Sequence, residues 1–266
     1  MWPFDSLRRR REQEEFERLI AQFDDYEWDH GSAPLPWVPA RRRRRVHPAV
    51  AGMVLVLALL VPAYLLNQGS APVADPDGSY AFMMTQPGSG RPVSYDPCRP
   101  ITWAVNPSGT NPDVVALARS AAEQVSTASG FTLEYVGETS LRPLDLATSG
   151  SVAQVVVGFA SPDEVPDLAG DVAGVGGSTA SGFADSYRYL EGDIALDKDL
   201  YATIMTRPGG PAEANAIIMH EWGHVLGLDH VEDVSQLMYA DNVGQDRWGS
   251  GDLAGFQVLA DNPCAR

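Results

Sequence analysis

The sequence predicts a mixed α+β domain, a twisted sheet carrying helices, that follows a single membrane-spanning helix. Three observations carry this expectation. An uncharged run from Ala49 to Leu66 follows five consecutive arginines. Beyond Cys98, β-branched and aromatic strand signals alternate with helical ones. The apolar stretch "RPGGPAEANAIIMHEWGHVLG" has helix signals at both ends and gathers histidines at its close.

From the N-terminus, residues 1–46 read as a tail. Phe16, Leu19, Ile20 and Phe23 recur at helical spacing, beside Arg8 to Arg11. A helix that short is marginal when isolated, so a frayed segment is the competing reading. Residues 47–66 read as the membrane helix. The 18 uncharged residues would extend roughly 27 Å, enough for a hydrocarbon core. Arg41 to Arg45 precede the span, and the next basic residue is Arg91, so the positive-inside rule places the tail in the cytoplasm and everything after Leu66 outside. The expected location is the cell membrane, single-pass. A cleaved anchor that frees the domain is the alternative topology.

Residues 67–97 contain five Pro, four Gly and four Ser, the composition of a tether. Its later half carries enough apolar residues to lie against the domain that follows, residues 98–266. There "ITWAV" (101–105) and "FTLEYV" (131–136) read as strands around a helix with Pro112 near its start and Gly130 past its end. "VAQVVVGF" (152–159) suits a fully buried strand, and "GDIALD" (192–197) is a weaker one. "DVAGVGGSTASG" (171–182) reads as an edge strand or rim loop against which an extended substrate could lie, and equally as a flexible surface loop.

Charge narrows the function. The net charge is −16, and residues 46–266 hold nine Lys/Arg against twenty-six Asp/Glu. Such a body repels phosphate backbones, which argues against nucleic acid as a partner.

The chemistry concentrates in "HEWGHVLGLDH", residues 220–230. Pro211 starts this helix and Gly227 ends it, so His220 and His224, at i and i+4, share one face with β-carbons about 5–6 Å apart. From that separation two imidazoles converge on one ion with bonds of about 2.0–2.1 Å, and Gly227 permits a reversal that returns His230 as a third ligand. Three neutral imidazoles leave a fourth position open for water, the mark of a catalytic zinc site. Glu221 flanks the same face, placed as general base toward that water. With the chain's frequencies of five His, thirteen Glu and twenty-five Gly in 266 residues, a chance match to H-E-x-x-H-x-x-G-x-x-H has a probability on the order of 10⁻⁵.

At these residues the chain resembles the metzincin zinc metalloproteases, and within them the matrixin-like branch. The resemblance implies a zincin-type catalytic domain with an active-site helix and a C-terminal helix, and a metal-dependent endopeptidase acting on protein or peptide substrates. It also implies that Met238 in "SQLMYA" forms a supporting methionine turn and that "GSGDLAGFQVL" is the closing helix, which Ser250 is of the right type to cap. Tyr239 is implied to line the substrate pocket. Two departures stand out. Ala195 occupies a position where relatives use a histidine for a second zinc, so one zinc is expected. Ala240 replaces a common proline after the Met-Tyr pair. Asp193, Asp197 and Asp199 offer oxygen ligands for a calcium ion, with solvated carboxylates as the plain alternative.

Cys98 and Cys264 bracket the domain. Outside a membrane an even pair points to a disulfide, and the rival role for Cys98 is a thiolate occupying the zinc's open position. The rival function is a membrane-tethered zinc-binding adhesion or binding module without turnover. Glu221 weighs against it, because a scaffold needs no base.

Overall fold

The structure, a computed structural model, describes residues 79–108, 112–143, 153–184 and 186–265, with side chains from 115 onward in the first helix. The expected tail (1–46), membrane helix (47–66) and first part of the linker lie outside the described residues. Among the described residues no helix is long and apolar enough to cross a membrane.

A five-stranded sheet runs in the order β3-β2-β4-β6-β5. Strands β2 (Ile101–Asn106), β3 (Leu133–Glu138), β4 (Val155–Ala160) and β6 (Ser186–Asp197) are parallel, while β5 (Gly174–Phe183) pairs antiparallel with β6 at one edge. The glycine-rich segment is therefore an edge strand. Strand β4 reads "VVVGFA" because it lies inside the sheet. Val155, Val156 and Val157 are fully buried, each contributing about 1.5–3 kcal/mol relative to exposure.

Helix α1 (Pro112–Ser129) connects β2 to β3, and α2 (Lys198–Met205) follows β6. Asp197 caps α2 by accepting from the amides of Asp199 (2.9 Å) and Leu200 (2.8 Å). The central helix α3 (Gly210–Leu226) packs against α1 and the sheet. Its C-terminal half is buried almost all round, from Ile218 to Leu226 except half-buried His220. That pattern is expected where a helix is enclosed on several sides. Gly227, at φ +119°, ends it, and its amide reaches back to the carbonyls of Gly223 and His224.

Helix α4 (Ser250–Ala260) closes the domain. Its cap differs from expectation. Gly249 is the N-cap and Ser250 the first helical residue, and Asp252 accepts from the Gly249 amide at 2.8 Å. Asp252 thus supplies the reaching-back half of a capping box, while the acceptor a serine cap would offer to the second and third amides comes from Gln236 Oε1.

The expected boundary at Cys98 also moves. Residues 79–97 belong to the folded domain, since Phe82, Val93 and Tyr95 join the same buried core as Trp103 and Trp222. Strand β1 (Ala81–Phe82) pairs antiparallel with β7 (Leu228–Asp229), and the Met83 amide donates to the Gly227 carbonyl at 2.9 Å. Proline and glycine here shape turns between buried side chains, which composition alone cannot separate from a tether.

Candidate metal centre

Helix α3 delivers His220 and His224 one turn apart, and the reversal at Gly227 brings back His230. The three Nε2 atoms form a triangle with every side 3.1 Å. Backbone carbonyls set the ring orientations of the first two. His220 Nδ1 lies 2.7 Å from the Leu237 carbonyl and His224 Nδ1 lies 2.9 Å from that of Leu228. A carbonyl only accepts, so both Nδ1 atoms carry the proton and both Nε2 atoms present lone pairs. Lone pairs facing each other at 3.1 Å repel unless a cation lies between them. Tetrahedral zinc with bonds of about 2.0–2.1 Å separates its nitrogens by about 3.4 Å, close to this triangle. The donor set therefore fits zinc, and the carbonyl partners are the outer support such ligands use.

Electrostatics keep the His220 and His224 rings neutral. Burial, then repulsion from His230, brings the His220 pKa down to about 4, against a smaller opposing effect of the Leu237 carbonyl. Burial, then His220 and His230, holds His224 well below the ordinary histidine range.

Glu221 is buried between α3 and the edge strand. Burial pushes its pKa up to about 8, countered in part by a hydrogen bond from the Gly176 amide. Strand β5 can approach so closely because it lacks side chains there. A β-carbon on Gly174 would lie 3.1 Å from Glu221 Oε1, and one on Gly176 would collide with the Glu221 carbonyl oxygen. Further along, Ser178 Oγ donates to the Val225 carbonyl (2.8 Å), so its remaining lone pairs accept from the Tyr95 hydroxyl (2.9 Å). This chain ties the edge strand to the last turn of α3.

Met238 is buried, and its sulfur rests on Gly223 between the two helical histidines. The Val231 amide donates to the Met238 carbonyl (3.1 Å), which joins this turn to the residue after His230. Tyr239 is half-buried beside it, its backbone bridged to Val231. Sequence reasoning missed Asp252 and Gln236. Asp252 accepts from the amides of Leu237 (2.6 Å) and Met238 (3.3 Å), so it holds the turn whose Leu237 carbonyl orients His220. Gln236 Oε1 accepts from the amides of Gly251 (2.8 Å) and Asp252 (3.1 Å), satisfying the N-terminus of α4. An acid at the third position of the closing helix was the available signal for the first of these.

Cys98 and Cys264 are disulfide-bonded, with a Cα–Cα distance of 5.5 Å. Cys98 is thus committed to a partner other than a metal. Asp193, Asp197 and Asp199 do not gather into a cluster. Among the described residues, the groups of three whose ligand atoms lie within 4.8 Å of one another are the histidine triad and Asp96 with the two bonded cysteines. No calcium site is shown.

A family model described as Matrixin matches residues 101–253, more than half of the chain. Matrix metalloproteinase-17 from Homo sapiens is 28% identical over 101 residues, 38% of this chain, and the match spans 16% of that protein's length. Among solved structures, archaemetzincin from Methanopyrus kandleri aligns at 16% identity with a TM-score of 0.43, covering 60% of this chain and 95% of that one.

Proposed function

The chain belongs to the matrixin family, and from that premise we propose that it is a membrane-anchored zinc endopeptidase whose catalytic domain faces outward. The observation that carries this reading is the triangle of three histidine nitrogens, 3.1 Å on each side, adjoining a buried glutamate. His220, His224 and His230 hold the ion. Zinc so bound polarises a peptide carbonyl and acidifies a water. Glu221 takes the proton from the attacking water at its carboxylate and passes it to the departing amine. A nearby divalent cation favours the ionised carboxylate, which offsets the burial that raises its pKa in the metal-free protein.

Strand β5 receives the substrate. It pairs with β6 along one side only, and an extended peptide adds to the other side through main-chain hydrogen bonds. Tyr239, next to Met238, lines the pocket beyond the scissile bond. Residues 47–66 anchor the protein and 1–46 form its cytoplasmic tail, a reading supported by the arginine run and the uncharged span.

The test compares wild type with Glu221→Gln on a denatured protein substrate, with zinc content measured in both. Equal zinc and a loss of at least about 10²-fold in hydrolysis is the expected outcome. Equal hydrolysis refutes the assignment of the base, and a zinc-loaded but inert wild type favours the tethered binding module.

A further inference from the structure

In a domain with nine Lys/Arg against twenty-six Asp/Glu over residues 46–266, a cation readily finds a carboxylate. Arg99, Arg142, Arg207 and Arg247 each do, and Arg119 lies over the Tyr135 ring at 5.0 Å. Arg91 and Arg188 behave differently. Among the described residues, Arg91 Nη2 donates to Asn262 Oδ1 (3.0 Å) and Arg188 Nη2 to the Pro263 carbonyl (2.7 Å), both neutral oxygens. Both arginines line one pocket of about 110 Å³, and none of its lining residues is acidic.

The pocket is held in shape. Asn262 Nδ2 donates to the Pro92 carbonyl (3.0 Å) and to Ser94 Oγ (2.9 Å), which fixes the amide so that its oxygen faces Arg91. Pro263 precedes Cys264, which is bonded to Cys98. The two guanidinium groups are thus oriented by a clamped C-terminal segment, and each retains about four of its five N–H donors. Among the described residues no carboxylate pairs with either group. Free phosphate offers four oxygens and up to two negative charges to these donors, a phosphodiester headgroup two free oxygens and one charge, and arginine forks pair with either through parallel hydrogen bonds.

We propose that Arg91 and Arg188 form a binding site for a phosphate group, carried either by a free phosphate or by a phospholipid headgroup. The hydroxyls of Ser89 and Ser186 in the pocket wall complete the contacts. The site is separate in residues from the histidine centre, and its occupancy is read without peptidase activity.

The experiment uses the full chain, zinc-loaded without free zinc, in neutral detergent at low salt. It is titrated calorimetrically with inorganic phosphate and, separately, with dihexanoyl phosphatidylglycerol below its micelle concentration, with the phosphatidylcholine analogue as control. Saturable binding with a millimolar or tighter Kd in at least one arm is expected, weakened at least tenfold in Arg91→Gln/Arg188→Gln with zinc content unchanged. Binding in the phosphate arm alone identifies a free phosphate, and binding of the glycerol but not the choline lipid identifies a headgroup. Absence of binding in both arms up to about 10 mM overturns the proposal. So does binding that survives the double substitution, as it would if phosphate sat on the metal. If the glutamine pair fails to fold, Arg91→Lys/Arg188→Lys decides: weaker binding supports the forked contact, and wild-type affinity overturns it.

Discussion

The sulfur of Met238 occupies the space that a β-carbon on Gly223 would need. Gly223 lies in the turn of α3 between His220 and His224, so the methionine turn seats directly on the helix backbone between two members of the triad. Adding a methyl group there forces Met238 and the helix apart.

Gly223→Ala is expected to destabilise the zinc-loaded protein by about 1–3 kcal/mol, the usual cost of overpacking, and to weaken zinc binding. Urea unfolding and competition with a chromophoric chelator measure the two effects. Gly223→Ala/Met238→Ala should recover part of the loss, because the smaller side chain relieves the contact. Strictly additive losses would show that the two residues are not coupled.

Asp252→Ala removes the acceptor for the Leu237, Met238 and Gly249 amides. A cost of about 3 kcal/mol in unfolding free energy is expected, since each buried donor left unsatisfied costs about 1–3 kcal/mol and water recovers some of it. Zinc affinity should fall in the same variant, because the Leu237 carbonyl that orients His220 belongs to the released turn. A variant with full stability and full zinc affinity would contradict this.

The metal-free protein should be most stable near about pH 6.5 with respect to three groups of the site. His220, at about 4, and His224, well below its usual value, are depressed on folding. Their contribution is present above the unfolded value of about 6.5 and is lost as pH falls toward 4. Glu221 is raised to about 8, so its contribution is full below its unfolded value and is lost as pH rises through 8. Between about pH 4.5 and 6.5 the unfolded chain binds the two histidine protons while the folded one holds only that of Glu221, so stability climbs with pH. Above 6.5 it declines. Urea midpoints in chelator across pH 5 to 9 test the curve, and Glu221→Gln should flatten its alkaline limb and steepen its acid limb, because the folded chain then holds no extra proton in either range.

Replacing Cys98 and Cys264 by serine opens a loop closed across 166 residues. The chain-entropy model assigns such a closure about 5 kcal/mol. Thermal unfolding of the double variant, and of wild type in reductant, should show matching losses while the histidine triad still binds zinc in the folded state.

Much of the site was legible because it obeys local rules. The i, i+4 histidines follow from helical period, and Gly227 announces the reversal that returns His230. The valine run of β4 was equally readable. What escaped depends on contacts between distant residues. Asp252 is fourteen residues from Met238, and nothing in "GSGDLAGF" states that its carboxyl turns back toward the methionine turn. The first half of β6, "SYRYLE", is polar enough to pass for loop and becomes strand because β5 folds back on it. The apolar residues in the later half of the linker suggest contact with the domain, but that Phe82 and Tyr95 enter its core shows only in the fold. Arg91 and Arg188, ninety-seven residues apart in the chain, meet only through the C-terminal segment.

The pairing of β1 with β7 also places the outermost strand of the described domain beside the metal centre. Ala81 faces Asp229, the neighbour of His230, so the third imidazole leans on a two-residue ladder and not on the large sheet.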